Sequence, residues 1–230
     1  TDILTDDRRR VVNAGIERGR DIQLANLRRL AEIGATVSSK LLATRGQRLI
    51  LNRIRTSNSD LRLGEFDSEM LNIIEIDDDN RIARGVLFDV DDIDAAFAEL
   101  DSRYIAGEAA AHARTWSLVA RTFAALNKRE VPATTPDWVH VDHRPIAMYE
   151  VSDLATYLSA SWDVTPQSTT YVEAVHRLTD IGAVLTNVAH GTSQEGFEVE
   201  WREISLITFE GDRINRGEDF DEADLDVALA

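Results

Sequence analysis

The chain contains nearly the same eighteen residues twice, once near its middle and once at its end. Residues 81–98 read RIARGVLFDVDDIDAAFA and residues 213–230 read RINRGEDFDEADLDVALA, with ten identities and no gap. A second match precedes each copy, where DILTDDRR (2–9) aligns with DWVHVDHR (137–144). The two matches are offset by 132 and 135 residues, so their separation is almost constant. A near-constant offset predicts two copies of one folding unit.

Composition excludes several classes of partner and chemistry. The 230 residues are 43% hydrophobic, which is enough for two packed domains. The chain has 41 acidic and 25 basic side chains, and a net charge of −16 repels nucleic acid and anionic lipid. No apolar run approaches the roughly 20 residues of a membrane span. The absence of cysteine excludes a thiolate nucleophile and favours a cytoplasmic protein.

Periodicity predicts the order of elements in the second copy. Apolar side chains at helical spacing predict a helix over 112–128, and DWVHVDH (137–143) predicts a strand. A helix over 152–160 follows, then strands on either side of TDIG (179–182). The closing elements are a strand at 197–209, the strand RINRGEDF and an acidic-capped helix.

The first copy has the same pattern, with strands over 40–55 and a helix from near Asp91. That helix continues into the Gly/Ala-rich stretch YIAGEAAAHA, the best linker candidate in the chain. We therefore predict a first unit over 1–106 and a second over 107–230. The first unit opens directly on a strand, so its leading helix either lies upstream or is replaced by another element, and we expect the upstream position.

This element order describes an α+β cone, a curved antiparallel sheet wrapped around helices. Together with FAALNKRE, DWVHVDHRP and RINRGEDFD, it resembles the nuclear transport factor 2-like superfamily. That superfamily includes ketosteroid isomerase, SnoaL-type polyketide cyclases and limonene-epoxide hydrolase. The resemblance implies that the two cones pair through their sheets as an intramolecular pseudo-dimer, and a homodimer is compatible with it. HGTSQEGFEVEWREI also resembles tandem modules of long actinobacterial regulatory proteins, which implies other domains of a longer parent chain as partners.

One strand carries the strongest candidate for chemistry. Alternation places Trp138, His140 and Asp142 on the same face of DWVHVDH. The resemblance to ketosteroid isomerase implies that Asp142 is a general base. Apolar walls would raise the pKa of Asp142, and His140 could orient it or share its proton. The alternative is an ordinary ion pair between Asp142 and Arg144.

Two further groups are candidates for the pocket. Glu203 shares a strand face with Trp201, where burial would raise the pKa of the carboxyl group. Its alternative role is an ion pair with a neighbouring arginine such as Arg177 or Arg216. The first unit keeps an acid, Asp7, at the position of Asp142, but it has no counterpart of the histidine.

No metal or cofactor is predicted. His140 and His143 are three residues apart on a strand and therefore point to opposite faces. GIERGRD (15–21) matches neither a phosphate loop nor a dinucleotide fingerprint.

Three functions remain open. The first is a non-catalytic module of a larger regulatory protein that binds a small apolar ligand or a partner domain. The second is an acid–base enzyme, an isomerase, cyclase or epoxide hydrolase, that uses Asp142. The third is a structural domain whose cones are filled by Trp138 and Trp201. An enclosed cavity of about 300 Å³ or more in the second unit, with Asp142 pointing inward, would favour ligand binding or catalysis, and a cone filled by its own side chains would exclude both.

Overall fold

The structure is a computed structural model that describes residues 2–12, 14–58, 66–145, 153–165, 168–192 and 196–230. The chain divides into two compact units, Thr1–Tyr104 and Ile105–Ala230. Parts of two sequence predictions lie outside the described residues, namely Ser152 of the predicted helix and residues 193–195 of HGTSQEG.

Unit 1 is a six-stranded sheet with order β2-β1-β6-β5-β4-β3, accompanied by two helices. Its elements are β1 Leu4–Asp7, β2 Gly15–Arg18, α1 Arg20–Glu32, β3 Thr36–Arg45, β4 Leu49–Asn58, β5 Phe66–Ile76, β6 Ile82–Asp89 and α2 Ile93–Ala106.

Unit 2 has a five-stranded sheet with order β7-β11-β10-β9-β8. Its elements are α3 Ala113–Asn127, β7 Thr134–Asp142, α4 Leu154–Val164, β8 Thr169–Leu178, β9 Gly182–Thr192, β10 Glu198–Glu210, β11 Arg213–Phe220 and α5 Leu225–Ala228, with short 3-10 turns before α3 and α5. The predicted α+β class and the four-strand meander in each unit are confirmed.

The pair β1–β6 of unit 1 and the pair β7–β11 of unit 2 have the same register. Thr5 of β1 lies opposite Gly85 of β6, and His140 of β7 lies opposite Gly217 of β11. Both pairs are parallel, so each sheet, predicted as antiparallel, has antiparallel pairs in the meander and one parallel pair beside it. The sequence pattern marks each strand but not its neighbour, and in each unit the last strand of the meander runs in the same direction as the first strand of the unit.

Helix α3 closes one side of unit 2. Trp116 and Val119 are fully buried, and the helix packs on β8 and β9. Truncation of a buried tryptophan of this kind costs about 3–5 kcal/mol of stability. Lys128 caps the helix, and Arg129 just beyond it adopts a positive φ of 58°, which turns the chain towards β7. The predicted helix over 112–128 is therefore confirmed to within a residue at each end.

Helix α4 lies over the same sheet. The Asp153 side chain accepts a hydrogen bond from the Thr156 amide at 2.8 Å, which satisfies one of the unpaired donors of the first turn. Leu158 is buried on the inner face. The matching helix of unit 1, α1, buries none of its side chains.

Candidate functional site

A cavity of about 530 Å³ lies in unit 2, between helices α3 and α4 and the sheet. Its wall is rich in aromatic side chains: Phe123, Trp138, Tyr157, Trp162 and Trp201. Trp138 and Trp201 therefore border an open space rather than fill it. The interpretation of unit 2 as a side-chain-filled structural cone is wrong, because the space exceeds the size at which ligand pockets begin.

His140 is held in this wall by Asp219. Its Nε2 lies 2.9 Å from Asp219 Oδ2, and its ring stacks on Trp138 at a centroid distance of 5.8 Å. The hydrogen bond to Asp219 raises the pKa of His140, and burial opposes this only in part. The sequence predicted Asp142 as the partner. That prediction is wrong, because the parallel pairing of β7 with β11 brings Asp219 onto the same face as His140.

Asp142 is engaged by Arg144 instead. The Arg144 Nε and Nη2 atoms donate to its two carboxylate oxygens, each at 2.8 Å, and the Arg144 amide donates to Oδ1. Burial would raise the pKa of Asp142, but these bonds and the guanidinium charge outweigh it and lower the pKa. The predicted raised pKa is therefore wrong. Among the described residues the cavity wall here includes Arg144 and not Asp142.

Glu203, unlike Asp142, is a cavity-wall acid with a raised pKa, as the sequence predicts for it. It lines the cavity together with Trp201, and burial, reinforced by the nearby Asp219 charge, raises its pKa to about 7. Its Oε1 accepts from Asn187 Nδ2 at 2.9 Å, and its Oε2 accepts from Arg144 Nη1. The arginine partner is thus Arg144, a residue that the sequence prediction had assigned to Asp142 alone.

Ser205 joins these groups into one network. Its hydroxyl lies 2.9 Å from Asp219 Oδ1 and 2.8 Å from Asn187 Oδ1, so its single proton serves one of the two at a time. The polar connection therefore runs from His140 through Asp219, Ser205, Asn187 and Glu203 to Arg144. A buried hydrogen-bond network stabilises the fold only when each of its donors and acceptors has a partner.

Unit 1 keeps the first part of this arrangement. Arg9 Nε and Nη2 donate to Asp7 at 2.9 and 2.7 Å, and the Arg9 amide donates to Asp7 Oδ1. The pKa of Asp7 is lowered, chiefly by these hydrogen bonds to Arg9. The pair Asp7–Arg9 thus repeats the geometry of Asp142–Arg144, as the alignment of 2–9 with 137–144 predicts.

Unit 1 lacks the histidine and the other two carboxylates of this network, although Asn72 occupies the position of Ser205. Where Arg144 reaches Glu203, Arg9 reaches the sulfur of Met70 at 3.6 Å. The register also places Thr5 at the position of His140, and Leu87 at the position of Asp219. Asp7 consequently belongs to an ion pair with Arg9, whose charge also interacts with Asp89, and Thr5 takes the position of the histidine.

Sequence reasoning missed Asp219, Asn187, Ser205 and Tyr157. One signal for Asp219 was present in the repeat itself, because the aligned position in the first copy is the apolar Leu87. A polar residue that replaces an apolar one in an otherwise similar strand marks a difference between the two interiors. Tyr157 gives no such signal, and its proximity to His140, 5.3 Å between ring centroids, depends on where α4 packs.

The structure carries no sign of a metal centre or a membrane span in its described part. No group of three His, Asp or Glu side chains there is placed to hold a metal ion. No described helix is long and apolar enough to cross a membrane.

No family model and no curated protein matches the chain. Solved structures do match, each over about half of it. TerC co-crystallised with polyporic acid is 13% identical, with 50% of this chain and 97% of that chain covered and a TM-score of 0.40. A SnoaL-like polyketide cyclase from Agrobacterium tumefaciens is 14% identical (49% and 95% covered, TM-score 0.37).

A protein with a ketosteroid isomerase-like fold from Catenulispora acidiphila, in complex with trimethylamine, is 15% identical (45% and 83% covered, TM-score 0.38). At such identities a likeness concerns the fold alone, so function has to be argued from the site. The solved structures that the chain matches are thus SnoaL-like and ketosteroid isomerase-like proteins, the kinds of protein that its sequence resembles.

Proposed function

We propose that the chain is a small-ligand-binding module of a larger regulatory protein, and that the ligand occupies the unit 2 cavity. The observation that carries this proposal is a cavity of about 530 Å³ whose aromatic wall contains a connected polar network. Apolar walls with a few convergent polar groups are the usual composition of ligand sites. Ligand binding in the cavity would act on the other domains of a longer parent chain.

Comparison with unit 1 supports the view that the polar network of unit 2 serves a ligand rather than the fold. It forms the same strand pairing with Thr5, Met70 and Leu87 at the positions of His140, Glu203 and Asp219. The fold therefore does not require these polar groups. Burying a carboxylate such as Glu203 costs free energy that an apolar residue would avoid. A ligand that uses the network accounts for its presence in unit 2.

Occupancy of the cavity can be tested with a neutral solvatochromic dye, 6-propionyl-2-(dimethylamino)naphthalene. We expect one dye to bind per chain with a blue-shifted emission. Ser161 lies on α4 and lines the cavity, so Ser161→Phe should weaken binding at least tenfold. Ser159→Phe, on the exposed side of the same helix, is the matched control. Equal binding by wild type and Ser161→Phe would contradict the proposal.

Acid–base catalysis is the second candidate, and Glu203 is the observation that favours it. A carboxyl group with a pKa of about 7 on a cavity wall suits proton transfer near neutral pH. Glu203 therefore replaces Asp142 as the candidate base. The probe is 5-nitrobenzisoxazole, whose ring opens on proton abstraction. Turnover above buffer that rises with an apparent pKa near 7 and is lost in Glu203→Gln would favour an enzyme over a binding module.

A further inference from the structure

The unit 2 cavity is bordered by a polar network that has more acidic than basic side chains. We propose that it takes a ligand with a positively charged organic headgroup, an amine or a quaternary ammonium, held against Glu203, Asp219 and the aromatic wall. This inference rests on the proposed ligand-binding function and names the chemical class of the ligand.

The charges of the polar network carry the first step. The acids are Asp142, Glu203 and Asp219, and the bases are Arg144 and His140. Even with His140 protonated, the acids exceed the bases by one. Uncompensated negative charge in a buried site is costly, and a carboxyl group responds by binding a proton. Burial, reinforced by the Asp219 charge, raises the pKa of Glu203, so a ligand cation beside the carboxylate can take the place of the proton.

The same charges argue against an anionic ligand. The Arg144 guanidinium already donates to both Asp142 and Glu203, so its donors are largely used within the network. His140 is likewise engaged with Asp219. An anion in the cavity would meet Glu203 and Asp219, and among the described lining residues the two cations, Arg144 and His140, are already engaged by carboxylates.

The aromatic wall supplies the second step. Trp138, Tyr157 and Trp201 line the cavity beside the carboxylates. Burial raises the pKa of Tyr157, so its phenol stays neutral and its ring remains a π surface. Cations bind to the faces of such rings, and tryptophan is the strongest of them. Trp162, on another part of the wall, already has the guanidinium of Arg129 over its ring at 5.6 Å, so the headgroup belongs on the side of Trp138 and Trp201.

The test compares two probes of nearly the same shape, phenyltrimethylammonium and the uncharged tert-butylbenzene. Isothermal titration calorimetry at pH 8 should show the cation binding at least tenfold more tightly. Its affinity should fall at least threefold between pH 8 and pH 6, because Glu203 then holds a proton. At pH 7, where about half of the Glu203 side chains hold a proton, titrations in two buffers of different ionisation enthalpy should show proton release on binding of the cation and none with tert-butylbenzene.

Two variants locate the effect. Glu203→Gln should reduce the preference for the cation to less than threefold and remove the proton release. Glu218→Gln makes the same chemical change on β11, where the carboxylate pairs with Arg216 and His143 outside the cavity wall. It should retain the full preference for the cation.

The outcomes separate this inference from the proposed function. If tert-butylbenzene binds as tightly as the cation, the cavity binds ligands but the charge preference is overturned. If the neutral dye binds and neither probe does, the charge preference is also overturned. If dye and probes all fail to bind, both proposals are contradicted.

Discussion

His140 Nε2 lies 2.9 Å from Asp219 Oδ2 in unit 2, whereas the matching positions of unit 1 hold Thr5 and Leu87. The strands that carry these residues pair in the same register in both units. One backbone arrangement therefore supports an ionisable pair in unit 2, and Thr5 and Leu87 in unit 1, where the Thr5 hydroxyl accepts a hydrogen bond from Gln23. Unit 1 serves as a control within the same chain for the changes that follow.

The stability of unit 2 should fall as the pH rises from about 4.5 to about 7. Glu203 has a folded-state pKa of about 7 against an ordinary value of 4.5, so the folded protein binds its proton more tightly. The stabilisation is fully present below pH 4.5 and is lost as the pH passes through 7. Its size is about 3 kcal/mol. Urea unfolding of wild type and Glu203→Gln across this range measures it as a difference.

Glu203→Met, which installs the residue that unit 1 uses, should leave the free energy of unfolding equal to or above that of wild type at pH 8. Arg144 keeps its bonds to Asp142, and the cost of burying a carboxylate is removed. The affinity of Glu203→Met for the solvatochromic dye, measured on the same sample, should differ from that of wild type. A loss of more than about 2 kcal/mol would show that the carboxylate is needed for the fold.

The two aspartate–arginine pairs should respond differently to the same substitution. Asp7→Asn leaves Arg9 with Met70 as its remaining described side-chain hydrogen-bond contact, and we expect a loss of about 3 kcal/mol. Asp142→Asn leaves Arg144 bonded to Glu203 and should cost about half as much. Urea midpoints of the two variants give the comparison. Equal losses would contradict a role for Glu203 in holding Arg144.

Two histidines should titrate on opposite sides of the ordinary value of 6.5. The hydrogen bond to Asp219 raises the pKa of His140, and burial lowers the pKa of His176. Imidazole resonances followed by NMR between pH 5 and 9 measure both. Asp219→Asn should shift the pKa of His140 downwards and leave that of His176 unchanged. If the pKa of His140 were the same in Asp219→Asn as in wild type, Asp219 would not be the group that raises it.

Gly182, at the start of β9, should not tolerate a side chain. A Cβ there would overlap the Ile207 carbonyl oxygen and lie 2.8 Å from Thr208 Cγ2, across the β9–β10 pair. Gly182→Ala should therefore destabilise unit 2 by about 2–4 kcal/mol. Gly217→Ala is the control, because its Cβ would meet His140 Cδ2 at an ordinary 3.6 Å. It should change stability by less than about 1 kcal/mol, as thermal unfolding can show.

Much of the fold followed from local pattern. Helical spacing around Trp116 located α3, and alternation along β7 placed Trp138 and His140 on one face, as their stacked rings show. The same alternation placed Glu203 beside Trp201 on the wall of the cavity. These inferences succeeded because side-chain direction along a helix or strand is fixed by backbone geometry within a few residues.

The sequence alone thus determined the α+β class and the strand faces on which His140, Trp201 and Glu203 lie. The tertiary structure decided which of those side chains meet. Asp219 is 79 residues from His140 in the chain and reaches it through the parallel pairing of β7 with β11. Arg144 turns back onto Asp142 and lowers the pKa that the sequence predicted to be raised. Periodicity encodes the face of a strand but not the identity of its neighbour, and pKa values depend on neighbours.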